Sequence, residues 1–117
     1  MVRVEIADDP DAQRRGLMFR DFLAPGTGML FVFSAEEVQR FWMKDTPISL
    51  DMIFISRAGT VVGIVHDAAP FTLETRQVNT PSRYVVEAPG GFARKMGIEV
   101  GSEVTFLNVP TTKAAAR

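Results

Sequence analysis

The sequence contains no cysteine, which excludes disulfides, thiolate zinc sites and a cysteine nucleophile together. The compartment stays open, because a domain that needs no covalent staple can fold in an oxidising or a reducing space. Histidine occurs once, at His66. A zinc site would therefore need several carboxylates, and no compact acidic cluster is visible, so His66 reads as a structural or solvated side chain. Charge of one sign is also lacking: 13 Lys+Arg stand against 14 Asp+Glu, a formal net charge of −1. Such a chain has no cationic excess with which to displace phosphate counterions, which argues against nucleic acid as the main partner. No apolar run approaches the ~20 residues that span a bilayer, so no transmembrane segment is expected. No Gly-x-Ser-x-Gly elbow or phosphate-loop spacing is found, and no cofactor is implied.

What is present describes one domain. The chain has 117 residues, 46% apolar and 23% charged, enough to bury roughly two thirds of its unfolded surface. Val2-Arg3-Val4-Glu5-Ile6 alternates as a first strand, with no basic or apolar leader before it. Two readings stay open: a cytoplasmic chain, or the mature part of an exported, periplasmic one whose signal segment has been removed. A strand beginning at residue two favours truncation. At the other end Pro110 closes a domain spanning residues 1–110, and the unpatterned residues 111–117 read as a flexible tail.

Asp9 followed by Pro10 starts a helix that carries Ala12, Leu17 and Met18 to about Arg20. After the turn Pro25-Gly26-Thr27-Gly28, Met29 to Phe33 reads as a strand buried on both faces. Val38 to Lys44 and Leu50 to Ser56 read as two more strands, followed by a hairpin at Arg57-Ala58-Gly59 returning through Thr60 to Val65. Residues 66–82 form a long loop, with room for a short strand at Thr75 to Val78. Arg83 to Ala88 is a strand, Phe92 to Met96 a short helix stopped by Gly97, and Glu103 to Asn108 the last strand. The expected fold class is mostly β (α+β): a small antiparallel β-barrel or sandwich of about seven short strands with two short helices. Strands apolar on both faces favour the barrel, whose closure removes edges. Met29, Phe31, Phe33, Ile53, Ile55 and Val86 are the expected core.

The blocks Gly16-Leu17-Met18-Phe19-Arg20, Gly28 to Phe33, Phe41-Trp42-Met43-Lys44-Asp45-Thr46-Pro47-Ile48, Leu50 to Ile55, Tyr84-Val85-Val86-Glu87 and Gly97-Ile98 together resemble the DUF192 family, from about Val4 to Val104. That family is named for its unknown function. The resemblance implies a single small domain, in many members behind an export signal or lipoprotein leader. This chain departs from the family pattern at Asp45, where Asn is usual.

The same blocks supply the candidate site. On a strand, Trp42 and Lys44 share one face, putting an indole beside an ammonium; packing of a large aromatic is the alternative. Asp45 and Thr46 precede Pro47 and could serve the turn alone. Asp51 heads an apolar strand and must be paired or at a rim, and Lys44 across the turn is the expected partner. Arg20 suits a carboxylate, either that of Glu87 or a ligand's. The best-supported function is a non-enzymatic module binding a small polar or extended ligand, saccharide- or peptide-like, at a rim of Trp42, Lys44, Asp45, Thr46 and Asp51, with Arg20 and Glu87 contributing. Two alternatives stand beside it: a hydrolase-type enzyme using Asp45, Asp51 and Glu87 as acid and base, and a partner-docking scaffold. The ligand, the reaction and the oligomeric state are not legible.

Overall fold

In the computed structural model, which describes residues 1–107, the chain runs β1 (Arg3–Ala7), α1 (Pro10–Arg15), β2 (Thr27–Glu37), β3 (Leu50–Ile55), β4 (Val61–Ala68), β5 (Ser82–Pro89) and α2 (Phe92–Met96). The five strands form one sheet in the order β1-β2-β5-β3-β4. Three of its four pairings are antiparallel, whereas β1 and β2 are parallel. A parallel pair needs a crossover rather than a hairpin, and α1 with the loop after it supplies one.

The sheet is open, so the mostly β, α+β class holds and the barrel does not. Double-sided apolar runs report that both faces are covered, which closure and covering layers achieve equally well. Here one face packs Leu17, Met29, Phe31, Met43, Leu50, Met52, Phe54 and Val85 beneath α1 and residues 38–49. The other packs Leu30, Val32, Ile53, Ile55, Val61 and Tyr84 beneath α2 and residues 98–106. Of the expected core, Met29, Phe31, Ile53 and Ile55 are buried, while Phe33 and Val86 are half-buried.

Two expected strands are single bridges instead. In Val38 to Lys44 only Phe41 pairs, with Arg76, and near the end Thr60 pairs with Glu103. Thr75 to Val78 likewise contributes only that Arg76 bridge. Asn108, the expected domain end at Pro110 and the expected tail 111–117 lie outside the described residues. The first helix is also shorter than its apolar stripe suggested. Asp9 accepts the Ala12 N–H at 2.8 Å and Pro10 occupies the first turn, but the helix ends at Arg15 and Gly16 follows with φ +47°. Gln13 holds α1 over the sheet, donating to the carbonyls of Ala7 at 3.2 Å and Val32 at 2.8 Å.

Candidate functional site

Between α1, residues 40–46 and strands β2 and β5 lies a cavity of about 340 Å³. Leu17, Met18, Phe31, Phe33, Phe41 and Trp42 form its apolar walls. Phe41 is the hub, edge-on to Phe31 at 5.0 Å, Phe33 at 6.1 Å and Phe54 at 5.9 Å between ring centroids. Such edge-to-face contacts fix ring orientation as well as burying area. Trp42 is 44% exposed, and the Lys44 ammonium sits 5.2 Å from the centre of its ring. The indole and ammonium are thus together as expected, although the segment is irregular and strand alternation does not set their directions. Because alternation is lost, Phe41 and Trp42 both reach the cavity.

Glu87 lines the same cavity from the middle of the sheet, registered against Met29 on β2 and Met52 on β3. It is 4% exposed and has no hydrogen-bond or ion-pair partner among the described residues. Burial alone pushes its carboxyl up to about 8, so it is mostly protonated at neutral pH. A Cβ at Gly16 would lie 3.4 Å from Phe31 Cζ and 3.7 Å from Glu87 Oε1. These are ordinary van der Waals distances, so what calls for glycine there is the positive φ that ends α1.

The expected Arg20–Glu87 pair does not form. Since α1 stops at Arg15, Arg20 reaches the sheet edge and its guanidinium clasps Glu5 of β1, with Nη2 2.8 Å from Oε1. The bond to Arg20 lowers the Glu5 carboxyl and raises the guanidinium. Both side chains are well exposed, which keeps the pair's worth small.

The Lys44–Asp51 pair is absent too. Asp51 pairs with Ala88 where Met52 pairs with Glu87, so one register step sends the two carboxylates to opposite faces. Asp51 is 0% exposed and accepts backbone N–H groups from Asp67 at 2.9 Å, Gly91 at 3.1 Å and Ala93 at 2.8 Å. The start of α2 has no side-chain cap of its own; the neighbouring strand provides it through Asp51.

Asp45 takes a left-handed backbone, φ +54°, and its carbonyl accepts the Phe19 N–H at 2.6 Å. Asp and Asn both tolerate that conformation, so the departure from the family's usual Asn is conformationally mild. Thr46 is buried and lines the cavity, its hydroxyl donating to the Lys44 carbonyl at 3.0 Å. The structure therefore gathers Trp42, Lys44, Thr46 and Glu87, and leaves Arg20, Asp45 and Asp51 outside. The sequence reading missed Arg14, Arg15 and Arg40, which also line the cavity. No spacing rule could find them, because they converge from a helix end and an irregular segment.

A second cavity of about 470 Å³ lies by α2, lined by Ile64, His66, Arg94 and Ile98 among others. Among the described residues, no group of three His, Asp or Glu side chains is placed to hold a metal ion, and no helix is long and apolar enough to cross a membrane.

Known proteins extend these observations. The DUF192 family, described as an uncharacterised ACR, matches residues 1–106. A UPF0127 protein of Pyrococcus abyssi is 29% identical over 113 residues, 90% of this chain and 86% of that one. A crystal structure from Novosphingobium aromaticivorans of a protein of unknown function matches with TM-score 0.87 and 34% identity, covering 90% of this chain and 75% of that one. Another, from Sinorhizobium meliloti and provisionally named a transcription regulator, matches with TM-score 0.83 and 37% identity, covering 86% and 78%.

Proposed function

The chain belongs to the DUF192 family, and from the cavity beneath α1 we propose that it is a non-enzymatic module binding a small polar or extended ligand there. One observation carries the reading: Glu87, an acid buried in the sheet without a partner, lines an aromatic-walled cavity. A sheet that needed only packing at this position would hold an apolar residue, since burying an unpartnered carboxyl is unfavourable. The protonated acid can donate one hydrogen bond to a ligand, and Phe41 and Trp42 offer ring faces or edges to a sugar ring or a peptide side chain.

The same carboxyl is what would favour a hydrolase-type enzyme, because a proton held to about pH 8 suits a general acid. That reading lacks its second acid, since Asp51 serves α2 on the opposite face. A direct role at DNA, which the name of the Sinorhizobium relative invites, is disfavoured by a net charge of −1.

The test is a small-molecule screen read by thermal shift and by the emission of Trp42, the chain's single tryptophan. Hits should raise the melting temperature, perturb Trp42 emission and weaken on Glu87→Gln. Hits that bind Trp42→Ala and Glu87→Gln as tightly as the parent protein would place binding elsewhere, and turnover of a hit would favour the enzyme.

A further inference from the structure

We infer that the cavity selects ligands with a terminal carboxylate on an apolar body, whether a free organic acid or the last residue of a peptide. The inference rests on the binding reading above and adds the ligand's charge and polarity. Four cations line the cavity from two separate stretches of chain: Arg14 and Arg15 from α1, Arg40 and Lys44 from the irregular segment. Their one acidic companion in the lining is Glu87, whose burial keeps it largely uncharged at neutral pH.

Arg14 is already engaged, with both terminal nitrogens 3.0 Å from Asp11 Oδ1. The side chains of Arg15, Arg40 and Lys44 are exposed and have no hydrogen bond or ion pair among the described residues; Lys44 rests over Trp42. Three uncommitted cations around low-dielectric aromatic walls focus a positive potential on the cavity. The planar guanidinium forks of Arg15 and Arg40 match a carboxylate in two-point geometry. Inside, the six apolar side chains leave little for a fully polar ligand to bond with, so the rest of the ligand must be largely apolar. A cationic ligand would meet like charges, and a neutral one would gain nothing from them.

The experiment titrates the intact protein at neutral pH with phenylacetate, N-acetylphenylalanine and the tripeptide Ala-Ala-Phe, each beside its own carboxamide, and with phenethylammonium. Trp42 emission and melting temperature are both read. Each carboxylate should bind at least about tenfold more tightly than its amide. In the triple variant Arg15→Gln, Arg40→Gln, Lys44→Gln the preference should vanish while the ligand-free melting temperature holds, because all three side chains are exposed. Tighter binding by phenylacetate or N-acetylphenylalanine identifies a free acid as the source, and tighter binding by the tripeptide identifies a chain terminus. Amides or phenethylammonium binding as well as the carboxylates would overturn the anion preference and leave the binding reading standing, as would a preference that survives the triple variant. Silence from all seven probes would overturn the carboxylate selection, whereas the binding reading falls only if the wider screen described above also yields no hit.

Discussion

Asp51 and Glu87 sit on adjacent strands, one register step apart, both buried and on opposite faces of the sheet. Asp51 accepts three backbone N–H groups from the turn before α2, the start of α2 and the end of β4. Glu87 accepts none and has only a cavity in front of it. A buried acid whose acceptor positions meet fixed donors is part of the scaffold, and its burial is offset by bonds that folding itself supplies. One that lacks them is a standing cost to stability, tolerated where something other than the fold makes use of it.

The largest effect should come from breaking the satisfied member. Asp51→Ala leaves the N–H groups of Asp67, Gly91 and Ala93 without their acceptor, the last of them buried and the other two part-buried. At about 1–3 kcal/mol for the buried Ala93 N–H, and less for the two donors that water can reach, the loss should be about 2–4 kcal/mol. Urea unfolding measures it. A loss below about 1 kcal/mol would show that the turn at Pro89 to Gly91 holds itself together and that Asp51 is incidental.

Glu87→Gln should act in the opposite direction, and its effect should depend on pH. The native protein keeps the Glu87 proton up to about pH 8, whereas the unfolded chain releases it near 4.5, the ordinary value. Between those values the native state binds the extra proton, so raising the pH favours unfolding, with a slope of at most about 1.4 kcal/mol per pH unit from this group. The dependence is absent below the lower value and saturates above the upper one. Gln cannot titrate, so the stability difference between variant and parent should widen in the variant's favour across this window. Parallel stability curves for the two proteins would mean that Glu87 is ionised in the fold and has a partner after all.

The contrast between the two acids was only half legible in the sequence. Alternation located β1, and short apolar runs bounded by turn residues located β3, β4 and β5, because those strands are buried on one or both faces. Its place as the lone charge at the head of an apolar run marked Asp51 as an acid that must be paired or at a rim. The partner could not be read, since it consists of backbone amides whose positions depend on how α2 docks, and Lys44 was merely the nearest cation along the chain. The barrel failed for a related reason: apolar residues on both faces state that the faces are covered and are silent on what covers them. Val38 to Lys44 looks like a strand locally, yet its Phe41 and Met43 pack into the core under α1 rather than into a ladder. The cavity that this segment helps to wall, with Arg15 and Arg40 at its margin, has no counterpart in any local pattern.

Trp42→Ala probes the open side of the comparison. The indole is 44% exposed, so its loss should cost about 1–2 kcal/mol, short of the ~3–5 expected for a large aromatic in a packed core. The contact with Lys44 adds little at so exposed a position. Ligand-induced stabilisation, by contrast, should disappear. A cost as large as that of a core aromatic, with ligand binding intact, would make the indole part of the scaffold and move the binding surface away from it.

The smallest effect concerns Asp45, the third acid expected at the rim, which neither satisfies buried donors nor faces the cavity. Its backbone is what the turn uses. At φ +54° the residue holds its carbonyl toward the Phe19 N–H, and Thr46 after it presents a carbonyl to the Phe71 N–H at 3.1 Å. Asn adopts the left-handed region as readily as Asp, so Asp45→Asn should leave stability within about 0.5 kcal/mol and ligand affinity unchanged. Val, branched at Cβ, is strained there, and Asp45→Val should cost about 1–2 kcal/mol. If Asn instead weakened binding several-fold at unchanged stability, the charge at position 45 would act on the ligand, and the division between scaffold acid and cavity acid would need a third member.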